Sequence, residues 1–305
     1  MDLQTFIVGL LAATLRLATP LIFGTLGELI SERAGILNLG IEGTMLLGAF
    51  VGFVVTFVSG SLVLGLLAAI VAGVLAGLLM ALLTVTLGLN QHVSGLGMTL
   101  LLTGLSLFLF RLILGEQTTP PSINSFPKLA PFGDLPVIGP ITDQFALTYV
   151  AILLVPLFWW LIYRTSFGLK IRAAGENPEA ADAAGVNVYR TRYLALALAG
   201  GLMAIGGAFL SIAQTGTFTF QIVNGRGWVC IALIIFANWQ PVGVLWGALL
   251  FGGVDALQLR LQATGLDLPY ELFLALPYLV TILALTLAGR NVSGPAAVLK
   301  PYRRE

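Results

Sequence analysis

The sequence predicts an all-α fold, a polytopic transmembrane helix bundle of about nine spans and between eight and ten in all. Three observations predict it. First, 58% of the 305 residues are hydrophobic and only 10% are charged, against about 25% charged in an ordinary soluble domain. A soluble fold of this length cannot hide so much apolar surface, because surface area falls too slowly with size. Second, the apolar runs are long and continuous, whereas barrel strands are short and alternate. Third, the polar and charged residues gather between those runs.

The runs place spans at 6–30, 35–57, 62–87, 93–114, 146–163, 193–213, 227–239, 242–259 and 270–288. Each approaches the roughly 20 residues that a crossing helix needs, except the seventh. Pro241 separates the seventh from the eighth, so a re-entrant pair is the alternative there. No cleavable leader is expected, since Met1-Asp2 carries an acid and the run that follows is long enough to span.

Lys and Arg set the direction. Arg164, Lys170, Arg172, Arg190 and Arg192 lie in segment 164–192, and Arg290, Lys300, Arg303 and Arg304 lie in the tail 290–305. Both segments therefore fall inside, which puts the N-terminus outside and the C-terminus in the cytoplasm. Arg33 then falls inside as well. The loop 115–145 falls outside, with Glu116, Asp134 and Asp143 against Lys128. Residues 1–289 form the transmembrane domain in this reading.

Gly48 and Gly52, Gly73 and Gly77, and Gly243 and Gly247 have the small-xxx-small spacing that lets helices approach closely in lipid. A weak internal echo links 45–50 with 203–209, of the kind seen where transporters are built from repeats.

Several chemistries are excluded. No lysine follows a glycine, so there is no phosphate-binding P-loop. His92 is the only histidine and Cys230 the only cysteine, so paired-histidine and cysteine metal sites are ruled out. A net charge of +1 gives no electrostatic case for nucleic acid. No paired carboxylates or nucleophile–base set marks an enzyme. Any ATP that powers this chain must be bound by another subunit, and no cofactor is expected on this one.

The most informative stretch is 166–192, which lies on the positive-inside side. Asn177 is a good N-cap and Pro178 suits the first helical position. Glu179 and Asp182 favour the positive end of the helix dipole. Ala180, Ala181, Ala183 and Ala184 are strong helix formers, and Gly185 is placed to stop the helix. The product is a short helix with a small, flat face.

The stretch from Glu179 to Gly185, EAADAAG, resembles the EAA…G coupling signature of ABC-transporter permeases. With its context from Gly175, it is similar to the branched-chain amino acid and ribose permease family. The segment 28–43 (ELISERAGILNLGIEG), Asn90 to Gly95 (NQHVSG) and Ile234 to Pro241 (IIFANWQP) resemble the nucleoside and simple-sugar uptake subgroup, in particular its shorter permease. The resemblance runs from about Gly27 to Gly289. It implies an ATP-binding subunit on the cytoplasmic helix, a second related permease subunit, and an extracytoplasmic solute-binding protein, usually a lipoprotein. It implies a nucleoside or sugar as substrate and a prokaryotic cytoplasmic (inner) membrane as location. Asn177, Pro178, Glu179, Ala180, Ala181 and Gly185 would couple to the ATPase.

Polar residues inside spans are the candidates for a pathway or gate. Asn38 and Glu42, four apart, are expected to share a helical face, and Gly35, Gly40 and Gly43 around them allow a broken or closely packed helix. Glu42 either lines the pathway or ties two helices together by bonding a neighbouring backbone. Asp255, with Gln258 one turn on, either faces the pathway or makes a structural hydrogen bond. Asn90, Gln91 and His92 form either an inner gate or an ordinary polar turn. Asn224 and Arg226 would help form an outer vestibule. Arg16 is expected to pair with an acid such as Glu28. The external loop carries Pro120, Pro121, Pro127, Pro131, Pro136 and Pro140, which stiffen it either as a docking platform or as a plain loop. A secondary transporter driven by an ion gradient through Glu42 and Asp255 is the rival reading. An ABC importer for ribose-type sugars or branched-chain amino acids is another.

Overall fold

The computed structural model describes residues 3–115, 121–129, 138–263 and 294–303, with single positions between 275 and 286. Seven helices among the described residues are long and apolar enough to cross a membrane. They belong to α1 (Leu3–Arg33), α2 (Ile41–Ser59), α3 (Leu62–Ala81), α4 (Gln91–Leu114), α6 (Ala146–Arg164), α9 (Val188–Ala208) and α11 (Pro241–Ala263). Short helices α5 (Ile138–Thr142), α7 (Ser166–Glu176), α8 (Pro178–Ala183) and α10 (Arg226–Ala237) lie between them. A two-residue ladder pairs β1 (Lys128–Leu129) with β2 (Gln144–Phe145), antiparallel. Apart from those single positions, the expected span 270–288 lies outside the described residues, as do Glu116, Pro120, Pro131, Asp134 and Pro136.

α9 is the most buried spanning helix and α4 the most exposed. Small residues place α9 at the centre. Gly73 of α3 and Gly200 of α9 each face the other's carbonyl so closely that a Cβ on either would overlap it. Gly77 meets the Leu196 carbonyl, Gly48 meets Ala204, and Gly207 meets the Met45 carbonyl. Gly243 and Gly247 meet Ala237, Leu233 and Phe236 of α10. All three expected glycine pairs thus sit at helix contacts, and the echoing segments 45–50 and 203–209 pack against each other. Lipid supplies no hydrophobic drive between helices, so this close packing does the work.

α3 and α9 both end in π-turns, Leu82–Thr86 and Phe209–Thr215. Hydroxyls take up the carbonyls near these turns: Thr84 Oγ1 donates to Met80 O at 2.8 Å and Thr215 Oγ1 to Leu210 O at 2.9 Å.

One expectation needs correction. The second helix begins at Ile41, not Gly35, because Gly35 adopts φ +88° and residues 34–40 leave the helix. Asn38 and Glu42 therefore share no helical face. The seventh run, short as expected, forms the 12-residue α10, about 18 Å long at about 1.5 Å per residue, against a hydrocarbon core of about 30 Å. Thr217 pairs with Ser122 of the long loop, while Trp239 receives Arg33 at the far end of α1. Asn238 and Trp239, with φ 49° and 51°, make the sharp reversal into α11.

Candidate functional site: a broken-helix relay from one end of the bundle to its middle

The site begins where α7, which carries α8, packs on the end of α1. α8 forms as its local signals dictate. Asn177 Oδ1 accepts from Ala180 N at 3.0 Å, Pro178 opens the helix, and Gly185 closes it at φ +84°. Val186 N then donates to Ala181 O at 3.0 Å, completing the C-terminal wrap. Ala181 is buried against Ala174 and Val188, while Asn177, Glu179, Ala180 and Gly185 are exposed. The outer face is small and unobstructed.

α7 was not foreseen. Its signals were present: Thr165 caps Gly168 N at 3.1 Å, and the buried Gly168, Ile171, Ala174 and Gly175 follow helical spacing. α7 seats α8 on the bundle. A Cβ on Gly175 would overlap the carbonyl of Arg33, so this backbone lies directly against the end of α1. Arg192 fixes the same junction. It is 1% exposed, and its Nε donates to Ala34 O at 3.0 Å while Nη2 donates to Ala174 O at 3.4 Å.

The break 34–40 is the next link. The Gln91 carboxamide oxygen accepts from Leu37 N at 2.8 Å, and its Nε2 donates to Gly35 O at 3.4 Å. Glu28 Oε1 accepts from Asn38 N at 2.8 Å, and Asn38 Oδ1 accepts from Gly40 N at 3.0 Å. Ser31 Oγ donates to Ile36 O at 2.7 Å. These bonds satisfy backbone groups that leaving the helix exposes. Asn90 caps α4, accepting from His92 N and Val93 N at 3.0 and 3.2 Å, and His92 is exposed.

A second tie joins the end of α1 to the α10–α11 reversal. Arg33 donates to Trp239 O through Nε at 3.0 Å and Nη2 at 2.7 Å, and Trp239 Nε1 donates to Glu32 Oε2 at 2.6 Å. Three sequence segments thus converge on one break: 28–43, the start of α4, and the turn at Trp239.

The last link lies inside the bundle. Gly227 is ten residues from the end of α10, about 15 Å along the helix. There the Glu42 carboxylate accepts from Gly225 N at 2.8 Å and Gly227 N at 2.7 Å. It satisfies amides at the open end of α10 and meets the positive end of its dipole. Arg226 donates to Ile222 O and Val223 O at 3.2 and 3.1 Å. Asn224, in the left-handed conformation at φ 48°, is exposed beside them, as is Trp228.

The structure therefore gathers Glu42, Asn224 and Arg226 in one place and Asn38 and Gln91 in another, while Asp255 lies on α11. Arg16 does not pair with Glu28. Those residues stand about 18 Å apart along one helix, and Arg16 lies 5.9 Å from the Phe145 ring centroid instead. Glu32, Trp239 and Arg192 escaped the sequence reading as members of this relay. The signal for Glu32 and Arg192 was a charge on the apolar face of a long helix.

A family described as branched-chain amino acid transport system / permease component matches residues 10–285. The chain belongs to that family. It is a permease subunit of an ABC-type transport system, a multi-pass membrane protein and not a catalytic enzyme. One similar permease, from Haloferax volcanii, carries the provisional name glucose ABC transporter permease protein TsgC13. It is 41% identical over 99% of this chain and 99% of its own length. The guanosine ABC transporter permease protein NupQ of Bacillus subtilis is 35% identical over 99% of this chain and 98% of its own. The nucleoside ABC transporter permease protein NupC of Lactococcus lactis is 35% identical over 92% of each. No solved structure matched this permease.

Proposed function

We propose that this permease carries nucleosides or related small sugars inward by alternating access, driven by ATP hydrolysis on a separate subunit bound to α8. The observation that carries the mechanism is the unbroken run of contacts from α8 to Glu42. It passes through Gly175 and Arg33, Arg192 and Ala34, Leu37 and Gln91, and Asn38 and Glu28. A push on α8 bears on the break 34–40, and the break leads directly into the helix that holds Glu42.

The end of the bundle that carries α7 and α8 is cytoplasmic in this reading, as the distribution of Lys and Arg requires. Asn177, Pro178, Glu179, Ala180, Ala181 and Gly185 form the docking helix. The pathway runs past the N-terminal end of α10, beside Glu42, Asn224 and Asp255. Discontinuous helices mark solute sites in many transporters, with a half-helix N-terminus at the midplane. Here the chain's own carboxylate already occupies that positive end. The local surface then offers an amide and an indole, Asn224 and Trp228, to a neutral polar ring. The relatives named for guanosine, nucleosides and glucose support that solute class.

A second, related permease completes the pathway, and an extracytoplasmic binding protein, a lipoprotein, delivers the solute. The family supports this assembly. An uptake panel tests the reading. A reconstituted complex should accumulate a nucleoside or a simple sugar when ATP is supplied, and leucine should not compete. Leucine uptake alone, or uptake by this chain without the ATPase under an ion gradient, refutes it.

A further inference from the structure

The segment 294–303 packs on the same end of the bundle as α8, and no role has yet been given to it. It is held mostly through its backbone. Ala297 N donates to Gly175 O at 2.8 Å, and Ala296 N to Glu176 Oε2 at 3.3 Å. Gly294 lies against the Trp239 indole, and the Tyr302 ring stands 5.9 Å from that of Tyr189. Leu299 N donates at 3.3 Å to the Gln91 carboxamide oxygen that also accepts from Leu37 N in the break. One oxygen thus joins the tail to the hinge.

Between this tail and the α7–α8 junction lies a cleft of about 260 Å³. Glu176 and Glu179 form one lip and Lys300 and Arg303 the other, and all four are exposed. The volume is smaller than the roughly 300–1,000 Å³ of a small-molecule site, and suits one or two inserted side chains. The opposed charges suit a protein surface bearing both signs. The cleft is continuous with the exposed face of α8, since Asn177, Pro178 and Glu179 line it.

We infer that the C-terminal tail is the second half of the docking platform for the ATP-hydrolysing subunit. That subunit inserts a charged loop between the tail and α8. The tail transmits its movement to the break through Gln91, in parallel with the route through Gly175. The inference rests on the proposed function, since it takes the same subunit as occupant.

The test uses the complete complex with Lys300→Glu and Arg303→Glu combined, beside Glu179→Ala combined with Gly185→Pro. The tail variant should reach the membrane and pair with the second permease normally. It should bind the ATPase about tenfold more weakly, with the loss growing at low salt, and solute-stimulated ATP hydrolysis should fall with it. ATPase binding and stimulated hydrolysis at the wild-type level overturn the inference. If the α8 variant alone loses uptake, the tail's role fails while the proposed function stands. If neither variant changes uptake, both fail. Removal of residues 294–305 gives a second check, and normal coupling in that shortened chain also overturns the inference.

Discussion

The buried guanidinium of Arg192 donates to the carbonyl of Ala34 at 3.0 Å. This bond links the helix that follows α8 to the first residue beyond α1. The same side chain reaches Ala174 O in α7, so one residue holds three elements at the point where α1 breaks.

Replacing Arg192 with Met should leave both carbonyls unpaired, at a cost of about 1–3 kcal/mol for each buried group. Arg192→Lys keeps the charge without the two-pronged donor geometry and should recover stability more than coupling. Thermal unfolding in detergent, read beside ATP consumed per solute moved, separates these effects. Equal coupling in all three forms rules out a positioning role.

Glu42→Ala should expose the first amides of α10 and lower stability by about 1–3 kcal/mol. Glu42→Gln keeps an acceptor and loses the charge at the helix end, worth about 0.3–2 kcal/mol, so its loss should be smaller. Unfolding midpoints of the three forms check the order. A Gln variant as damaged as the Ala variant would show that Glu42 acts through its charge alone.

Gly207→Ala should be among the most damaging single-carbon additions, because its Cβ would overlap the Met45 carbonyl. Overpacking of this kind costs about 1–3 kcal/mol. Gly97→Ala on α4 has nothing within 4 Å and should leave stability unchanged. Folded yield in detergent distinguishes them.

Trp239→Phe keeps the ring and removes the donor to Glu32 Oε2. The carboxylate left behind is 96% buried in its helix, at 4% exposure, and its lost partner should cost about 1.5–3 kcal/mol. Trp239→Phe combined with Glu32→Gln should recover part of that loss. A double-mutant cycle on unfolding free energy measures the recovery.

What could be read from the sequence was local. Asn177, Pro178 and Gly185 cap and stop α8 through bonds to residues within a few positions, so their roles followed from spacing alone. The glycine pairs were legible as well, because close approach in lipid needs small residues whatever the partner helix. The rest depended on which segments meet. Gly35, Gly40 and Gly43 allowed for a broken helix after α1 without locating it, because Gly35 in an apolar run resembles any other glycine of a span. With the break not located, Asn38 and Glu42 were placed on one helical face that does not exist. Glu42 itself proved to tie two elements together, and its partners, the amides of Gly225 and Gly227, lie more than 180 residues away. Arg16 was assigned to Glu28 on charge alone, and helix geometry forbids that pair. α7 was missed because its apolar positions are mostly glycine and alanine, which carry little hydrophobic signal.

The most direct measurement of the central claim is ATP-driven solute uptake into vesicles holding the complete complex, with Glu179→Ala and Gly185→Pro combined in α8. The relay from α8 to Glu42 predicts uptake at background, with membrane insertion and pairing of the two permeases intact. Uptake at the wild-type rate would contradict it.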